Sequence, residues 1–231
     1  MSGLSMDQCH HVWLWQPLLP PGFNCHCSEK DVVHRMSRMV LGISGSPRRG
    51  DTEHIVEEAL RIASERGYHT ERVLCSEAKI GYCTGCGNCG PGQGCPIDDD
   101  MGSIFGLLKE ASGIIVASPV YFGSVTGQLK VLFDRTLPLR RQGSLLRDKA
   151  GCALCVGGFR NGGQEQAIAA IWAWMHIQGM IVVGDGSHFG GTLVRPASQD
   201  STGMETVLAS ASKLCDLLDR TGRIGGCWYG D

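Results

Sequence analysis

The chain has 231 residues, 42% of them hydrophobic and 19% charged, which is enough apolar material for one fairly large core and excludes a disordered or fibrous chain. Its 21 Lys and Arg against 23 Asp and Glu leave a formal charge of −2, without the basic excess that nucleic-acid binding requires, and no apolar run approaches the ~20 residues of a membrane span. The 33 glycines and 12 cysteines exceed ordinary usage, and a chain this long and core-rich needs no disulfide staples. The first residues do not read as a secretory signal, so the expectation is a reducing cytoplasm with some cysteines on a metal.

Residues 1–36 carry Cys9-His10-His11, a tract from Pro17 to Pro21 and Cys25-His26-Cys27, with neither helical nor strand periodicity. They read as a poorly ordered extension with internal starts at Met36 or Met39, and their Cys/His spacing fits no standard zinc pattern. The domain proper is expected over 37–231.

Val40 to Ile43 predicts a strand, and His54 to Arg66 a helix with Ile55, Val56, Ala59, Leu60 and Ala63 on one face. A strand near Arg72 to Leu74, a helix from Met101 to Ala111 opened by Asp98-Asp99-Asp100, and a strand from Ile114 to Ala117 follow. Then come a helix at Gly127 to Arg135, a strand at Cys152 to Val156, and a helix with Ile168, Ile171, Trp172 and Met175 on one face. A strand at Met180 to Val183 and a last helix carrying Val207, Leu208, Ala211, Leu214 and Leu218 complete the pattern. Five strands alternating with five helices predict a doubly wound parallel α/β sheet, because parallel neighbours need helical crossovers that cover both faces.

In such a sheet ligands bind at the carboxyl ends of the strands. The first strand runs into Ser44-Gly45-Ser46-Pro47-Arg48-Arg49-Gly50-Asp51-Thr52 and straight into a helix. Free N–H groups at that helix start, with the hydroxyls of Ser46 and Thr52 and the guanidinium of Arg48, make a phosphate cradle. Neither the Walker nor the dinucleotide glycine pattern is present, and a plain polar turn with Asp51 or Thr52 as N-cap is the competing reading. After the third strand, Pro119-Val120-Tyr121-Phe122-Gly123-Ser124 offers flat apolar surface and free backbone N–H groups to a planar ring, which points to a flavin nucleotide; loop packing is the alternative. After the fourth, Gly157-Gly158-Phe159-Arg160-Asn161-Gly162-Gly163 suits a third loop around the same ligand, or a flexible surface turn. Gly158, Phe159 and Asn161 are its candidate contacts.

The most specific signal is Cys83-Thr84-Gly85-Cys86-Gly87-Asn88-Cys89-Gly90-Pro91-Gly92-Gln93-Gly94-Cys95-Pro96, a C-x2-C-x2-C-x5-C-P run. Four thiolates this close are the ligand set of one cubane, and the bacterial ferredoxin run differs only in its last gap. With no second compact cysteine run, Cys95 must close the same site as Cys83, Cys86 and Cys89. The interleaved glycines let the loop fold tightly and aim peptide N–H groups at the sulfurs. Zinc competes, although zinc ribbons usually use two separated knuckles, and free redox thiols are the third reading. Cys75, Cys152, Cys155, Cys215 and Cys227 read as small apolar residues, with Cys152 and Cys155 on opposite faces of their strand.

Over about Met39 to Leu218 these segments resemble the iron–sulfur flavoproteins of anaerobic archaea and bacteria, within the wider NADPH-dependent FMN reductase and flavodoxin-like group. The resemblance rests on G-I-S-G-S-P-R, the four-cysteine run, P-V-Y-F-G-S and G-G-F-R-N-G-G-Q-E. It implies a flavodoxin-like five-stranded sheet of order 2-1-3-4-5 with a cysteine-rich loop after strand two, FMN and a [4Fe-4S] cluster as cofactors, and a homodimer or larger oligomer. Ser46, Arg48 and Thr52 would hold the phosphate, Pro119 to Ser124 the isoalloxazine ring, and the four cysteines the cluster. Asp51 departs from the family, which commonly has Asn there, and the segment before Met36 has no family counterpart. The function expected is a flavin-dependent oxidoreductase in which a one-electron donor such as ferredoxin reduces the cluster, which passes electrons to FMN and on to an unknown acceptor. An NAD(P)H-dependent flavin or quinone reductase with a structural cluster, and a zinc-stapled flavodoxin-like scaffold, are the alternatives.

Overall fold

The computed structural model describes residues 39–90 and 92–223, so the expected N-terminal extension over 1–36 lies outside the described residues, as does Cys227. The chain order is β1 (Met39–Ser44), α1 (Asp51–Glu65), β2 (His69–Leu74), α2 (Met101–Glu110), β3 (Gly113–Pro119), α3 (Gly127–Arg135), α4 (Leu137–Arg141) and β4 (Ala150–Gly157). There follow α5 (Gln164–Ile177), β5 (Ile181–Val183), β6 (Gly191–Val194), a 3-10 turn (Ala197–Gln199) and α6 (Ser201–Arg223).

The sheet runs β2-β1-β3-β4-β5, all parallel; the strand–helix alternation predicts the parallel arrangement, and the family resemblance implies the order. Its central strands β1, β3 and β4 are continuous apolar runs because helices cover both faces. Side-chain alternation splits the core in two. Leu41, Ile43, Ile114, Val116 and Cys155 face the layer of α2, α3 and α5, whereas Val40, Ile115, Ala117 and Cys152 face α1 and α6. At Gly42 a Cβ would stand 2.6 Å from Val56 Cγ1, so only glycine lets α1 pack this closely on β1.

Four details differ from expectation. The fifth strand is in two pieces: β5 pairs with Ala150–Cys152 and β6 with Leu154–Gly157, so the sheet has six strands among the described residues. The 184–190 segment leaves the sheet between them. The first helix begins at Asp51 with Gly50 as its N-cap, not at His54 with Asp51 or Thr52 capping, since Gly50 takes a φ of 147° that lets the chain enter the helix early. The short α4 appears where Thr136-Leu137-Pro138 places a proline in a helical first turn. In α5 it is Trp174 that fills the core, stacked on Phe133 at 4.5 Å, while Trp172 is half-buried and edge-on to Phe189. Among the described residues, no helix is long and apolar enough to cross a membrane.

Candidate functional site

The turns after β1, β3 and β4 converge at the carboxyl edge of the sheet on a cleft of about 520 Å³. Seven predicted residues line it: Ser46, Arg48, Thr52, Pro119, Val120, Tyr121 and Gly158. The Ser46 hydroxyl donates to the Arg48 carbonyl (2.6 Å) and accepts from the Arg48 N–H (3.2 Å), so it shapes the turn that presents the Arg48 side chain. Thr52 sits in the first turn of α1, where N–H groups lack intrahelical acceptors. Arg48 and Arg49 both border the cleft, and the Arg49 guanidinium is paired with Glu77. Asp51 also borders the cleft, yet its Oδ1 accepts from the Ala197 N–H at 2.8 Å. The family's departure at this position is thereby engaged with the turn after β6.

The aromatic loop is a tight hairpin. Tyr121 and Ser124 exchange backbone hydrogen bonds of 2.9 and 3.0 Å, with Phe122 (φ 50°) and Gly123 (φ 74°) at its tip. Positive φ at both central positions is the two-residue turn that matches strand twist, but a phenylalanine there is strained. Its ring projects fully into solvent. Phe122, Gly123 and Ser124 therefore do not line the cleft, because the reversal carries them past its rim. Phe159 and Asn161 do not either: a turn closed by Gly162 N–H to the Phe159 carbonyl leaves Phe159 exposed, and Asn161 borders a neighbouring cavity of about 440 Å³ with Arg160 and His188. Of this loop, Gly157 and Gly158 line the cleft, joined by Arg195.

The four predicted ligands Cys83, Cys86, Cys89 and Cys95 border one cavity of about 100 Å³. Among the described residues no three His, Cys, Asp or Glu side chains are drawn together as a ready-made metal site, so the thiols surround the cavity without being gathered into one. Gly85, Gly87 and Gly92 take left-handed φ of 66°, 78° and 75°, which curls the loop on itself. The Asn88 N–H and the Thr84 hydroxyl hold the Cys86 thiol below its ordinary pKa, favouring the thiolate that a metal needs. Arg135 also lines the cavity, and its buried Nε has no hydrogen-bond partner. An all-sulfur donor set beside an unpaired buried donor fits a compact anionic iron–sulfur group. By contrast, burial pushes the thiols of Cys75, Cys152 and Cys155 up to about 12 and that of Cys215 to about 11, consistent with apolar packing roles.

The family model described as NADPH-dependent FMN reductase matches residues 38–192. An iron–sulfur flavoprotein of Methanosarcina thermophila is 52% identical over 181 residues, 78% of this chain and 95% of that protein. A second iron–sulfur flavoprotein, from Methanocaldococcus jannaschii, is 45% identical over 78% of this chain and 96% of its own length. The chain belongs to the NADPH-dependent FMN reductase family, among its iron–sulfur flavoproteins. A WrbA-like flavodoxin from Agrobacterium tumefaciens shares the fold, with a TM-score of 0.58 at 14% identity over 79% of this chain and 97% of that one.

For this family member, the sequence alone did not point to Arg195 at the cleft or to Arg135 and Arg141 at the cysteine cavity. Arg195 follows β6, and the Gly190-Gly191 pair ahead of a short apolar run was a readable strand signal. Arg135 and Arg141 sit in or beside helices whose apolar spacing points elsewhere, and only a charged residue at an otherwise inward position could have flagged Arg135.

Proposed function

We propose that this flavin-dependent oxidoreductase takes electrons singly from a ferredoxin-like protein through a [4Fe-4S] cluster on Cys83, Cys86, Cys89 and Cys95 to FMN in the cleft, and on to an acceptor. What carries the reading is one chain holding both a carboxyl-edge cleft of flavodoxin type and a separate cavity bordered by four cysteines. When bound, the cluster supplies one-electron exchange and FMN a store for up to two electrons. Arg48 and the first turn of α1 bind the phosphate; Pro119, Val120 and Tyr121 form the wall for the ring. Thiols held in a glycine-rich loop bind the cluster. All eight described cysteines are free, in keeping with a reducing cytoplasm. We further infer a homodimer or larger oligomer, for which the exposed Phe122 and Phe159 are the candidate contacts.

The family's description as NADPH-dependent supports a second reading, in which hydride reaches FMN directly and the cluster is structural. Anaerobic purification followed by a visible spectrum, FMN, iron, sulfide and zinc counts tests the cofactors. Stopped-flow reduction then compares donors: reduced ferredoxin should reduce bound FMN much faster than NADH or NADPH. A faster NADPH reaction that survives loss of the cluster would install the second reading, and a colourless protein with stoichiometric zinc would remove both.

A further inference from the structure

Two arginines line the cysteine cavity, although neither is a ligand and neither reaches the flavin cleft. Arg135, the last residue of α3, is 2% exposed, and an arginine is rarely so buried unless paired. Its partner is Asp99: Nη1 stands 2.6 Å from Oδ2 and Nη2 3.0 Å from Oδ1. Nη1 also donates to the Gly81 carbonyl at 2.7 Å. Asp99 in turn accepts from the N–H groups of Gly81 (2.8 Å) and Met101 (3.0 Å). The segment that contains all four cysteines is therefore clasped at both ends by one guanidinium–carboxylate pair, while Nε remains buried without a partner. Arg141, at the end of α4, is exposed and donates to Cys89 Sγ and to the Gly87 carbonyl, each at 3.4 Å.

We infer that Arg135 and Arg141 form a cationic wall that stabilises the more negative, reduced state of the cluster and so raises its midpoint potential. Arg141 acts by direct contact with a ligand sulfur, whereas Arg135 is a positioning residue that fixes the loop through Asp99 and places a positive charge behind it. The inference rests on the cluster assignment proposed above. Reduction adds one electron, delivered by the one-electron donor, and no proton, so the cavity must absorb one further negative charge. Net charge and hydrogen bonds to sulfur are the levers by which a protein does this. Arg135 and Cys95 line the same cavity, which places that charge beside it.

Arg141→Gln and Arg141→Lys test the wall at an exposed position that the fold tolerates. Iron and acid-labile sulfide are counted first, then the midpoint is read by a redox titration followed by electron paramagnetic resonance. We expect Arg141→Gln to keep the cluster and to lower the reduced-to-oxidised ratio at fixed potential at least tenfold, about 59 mV for a one-electron couple. Arg141→Lys should recover most of that shift. An unchanged midpoint in a fully loaded Arg141→Gln protein overturns the inference, as does loss of iron and sulfide from both variants, which marks a purely structural role. Wild-type protein without iron and sulfide is a different result, since there the cluster assignment itself fails.

Discussion

The carboxylate of Asp51 accepts a hydrogen bond from the backbone N–H of Ala197 at 2.8 Å, tying the first residue of α1 to the turn after β6. A negative charge beside the proposed phosphate-binding turn is unfavourable, and this contact gives that charge another use. It joins the turn carrying Arg48 to the one following Arg195, so two of the cleft's cations are held in register by one side chain.

Asp51→Asn keeps an acceptor oxygen for Ala197 and removes the charge. FMN should bind about two- to fivefold more tightly, as expected for about 0.3–1 kcal/mol near a helix N-terminus, and folding stability should fall by a similar amount because the dipole loses its carboxylate. Asp51→Ala lacks the acceptor as well and should cost about a further 1 kcal/mol. Flavin fluorescence titration and urea unfolding read the two effects separately. Weaker binding in Asp51→Asn would show that the carboxylate favours the flavin.

Asp99→Ala leaves Arg135 buried and unpaired, which should destabilise the domain by about 3–5 kcal/mol in urea. Asp99→Asn addresses pH dependence. Hydrogen bonding to Arg135, ahead of burial, which opposes it, holds the Asp99 carboxyl below its ordinary range. A folded pKa below the unfolded one means that the stability is fully present above the unfolded value of about 3.9 and is lost as pH falls through the folded value. Acid unfolding of Asp99→Asn should therefore show a shallower loss below about pH 4 than wild type. Parallel curves would mean that the pair contributes nothing to acid sensitivity.

Trp174 holds α5 against the helices that carry the arginines. Its ring stacks on Phe133 with a 7° interplanar angle, and its Nε1–H donates to Thr136 Oγ1 at 2.9 Å. Trp174→Phe should cost about 1 kcal/mol for the lost hydrogen bond, and Trp174→Ala about 3–5 kcal/mol for the cavity. Equal losses in thermal unfolding would show that the stack carries no weight.

The alternation of strands with helices and the four-cysteine loop were legible because apolar runs such as Ile114 to Ala117 and the C-x2-C-x2-C spacing are local signals, whereas the strand order came from the family resemblance. The interruption between Val183 and Gly191 was not, because two short strands pairing with different halves of β4 are defined by tertiary contact. In the aromatic loop, composition alone nominated Tyr121 and Phe122 equally, and only the hairpin's φ angles send one to the cleft wall and the other to solvent. Arg135 was hidden for a similar reason. Its partner Asp99 lies 36 residues earlier in a run that reads simply as a helix start.

The proposed flavin cleft and the cysteine cavity share no lining residue, and α3 reaches from one toward the other. Its N-cap Thr126 donates to the Gly45 carbonyl behind the phosphate turn, and its last residue, Arg135, borders the cysteine cavity. Nine helical residues at about 1.5 Å each separate these ends by about 13 Å, so a local defect at one site need not disturb the other. Cys95→Ser, like serine at Cys83, Cys86 or Cys89, should abolish the intact cubane and leave FMN affinity at the wild-type level. Arg48→Ala should do the converse: iron and sulfide stay complete, while flavin binding weakens by about 1.5–3 kcal/mol, roughly ten- to hundredfold, as befits loss of a charged hydrogen bond. Arg48 leaves the flavin site if its alanine variant binds FMN as wild type does. Full iron and sulfide in all four serine variants would take the cluster off these cysteines. Loss of both cofactors from either single variant would instead reveal that α3 couples the sites.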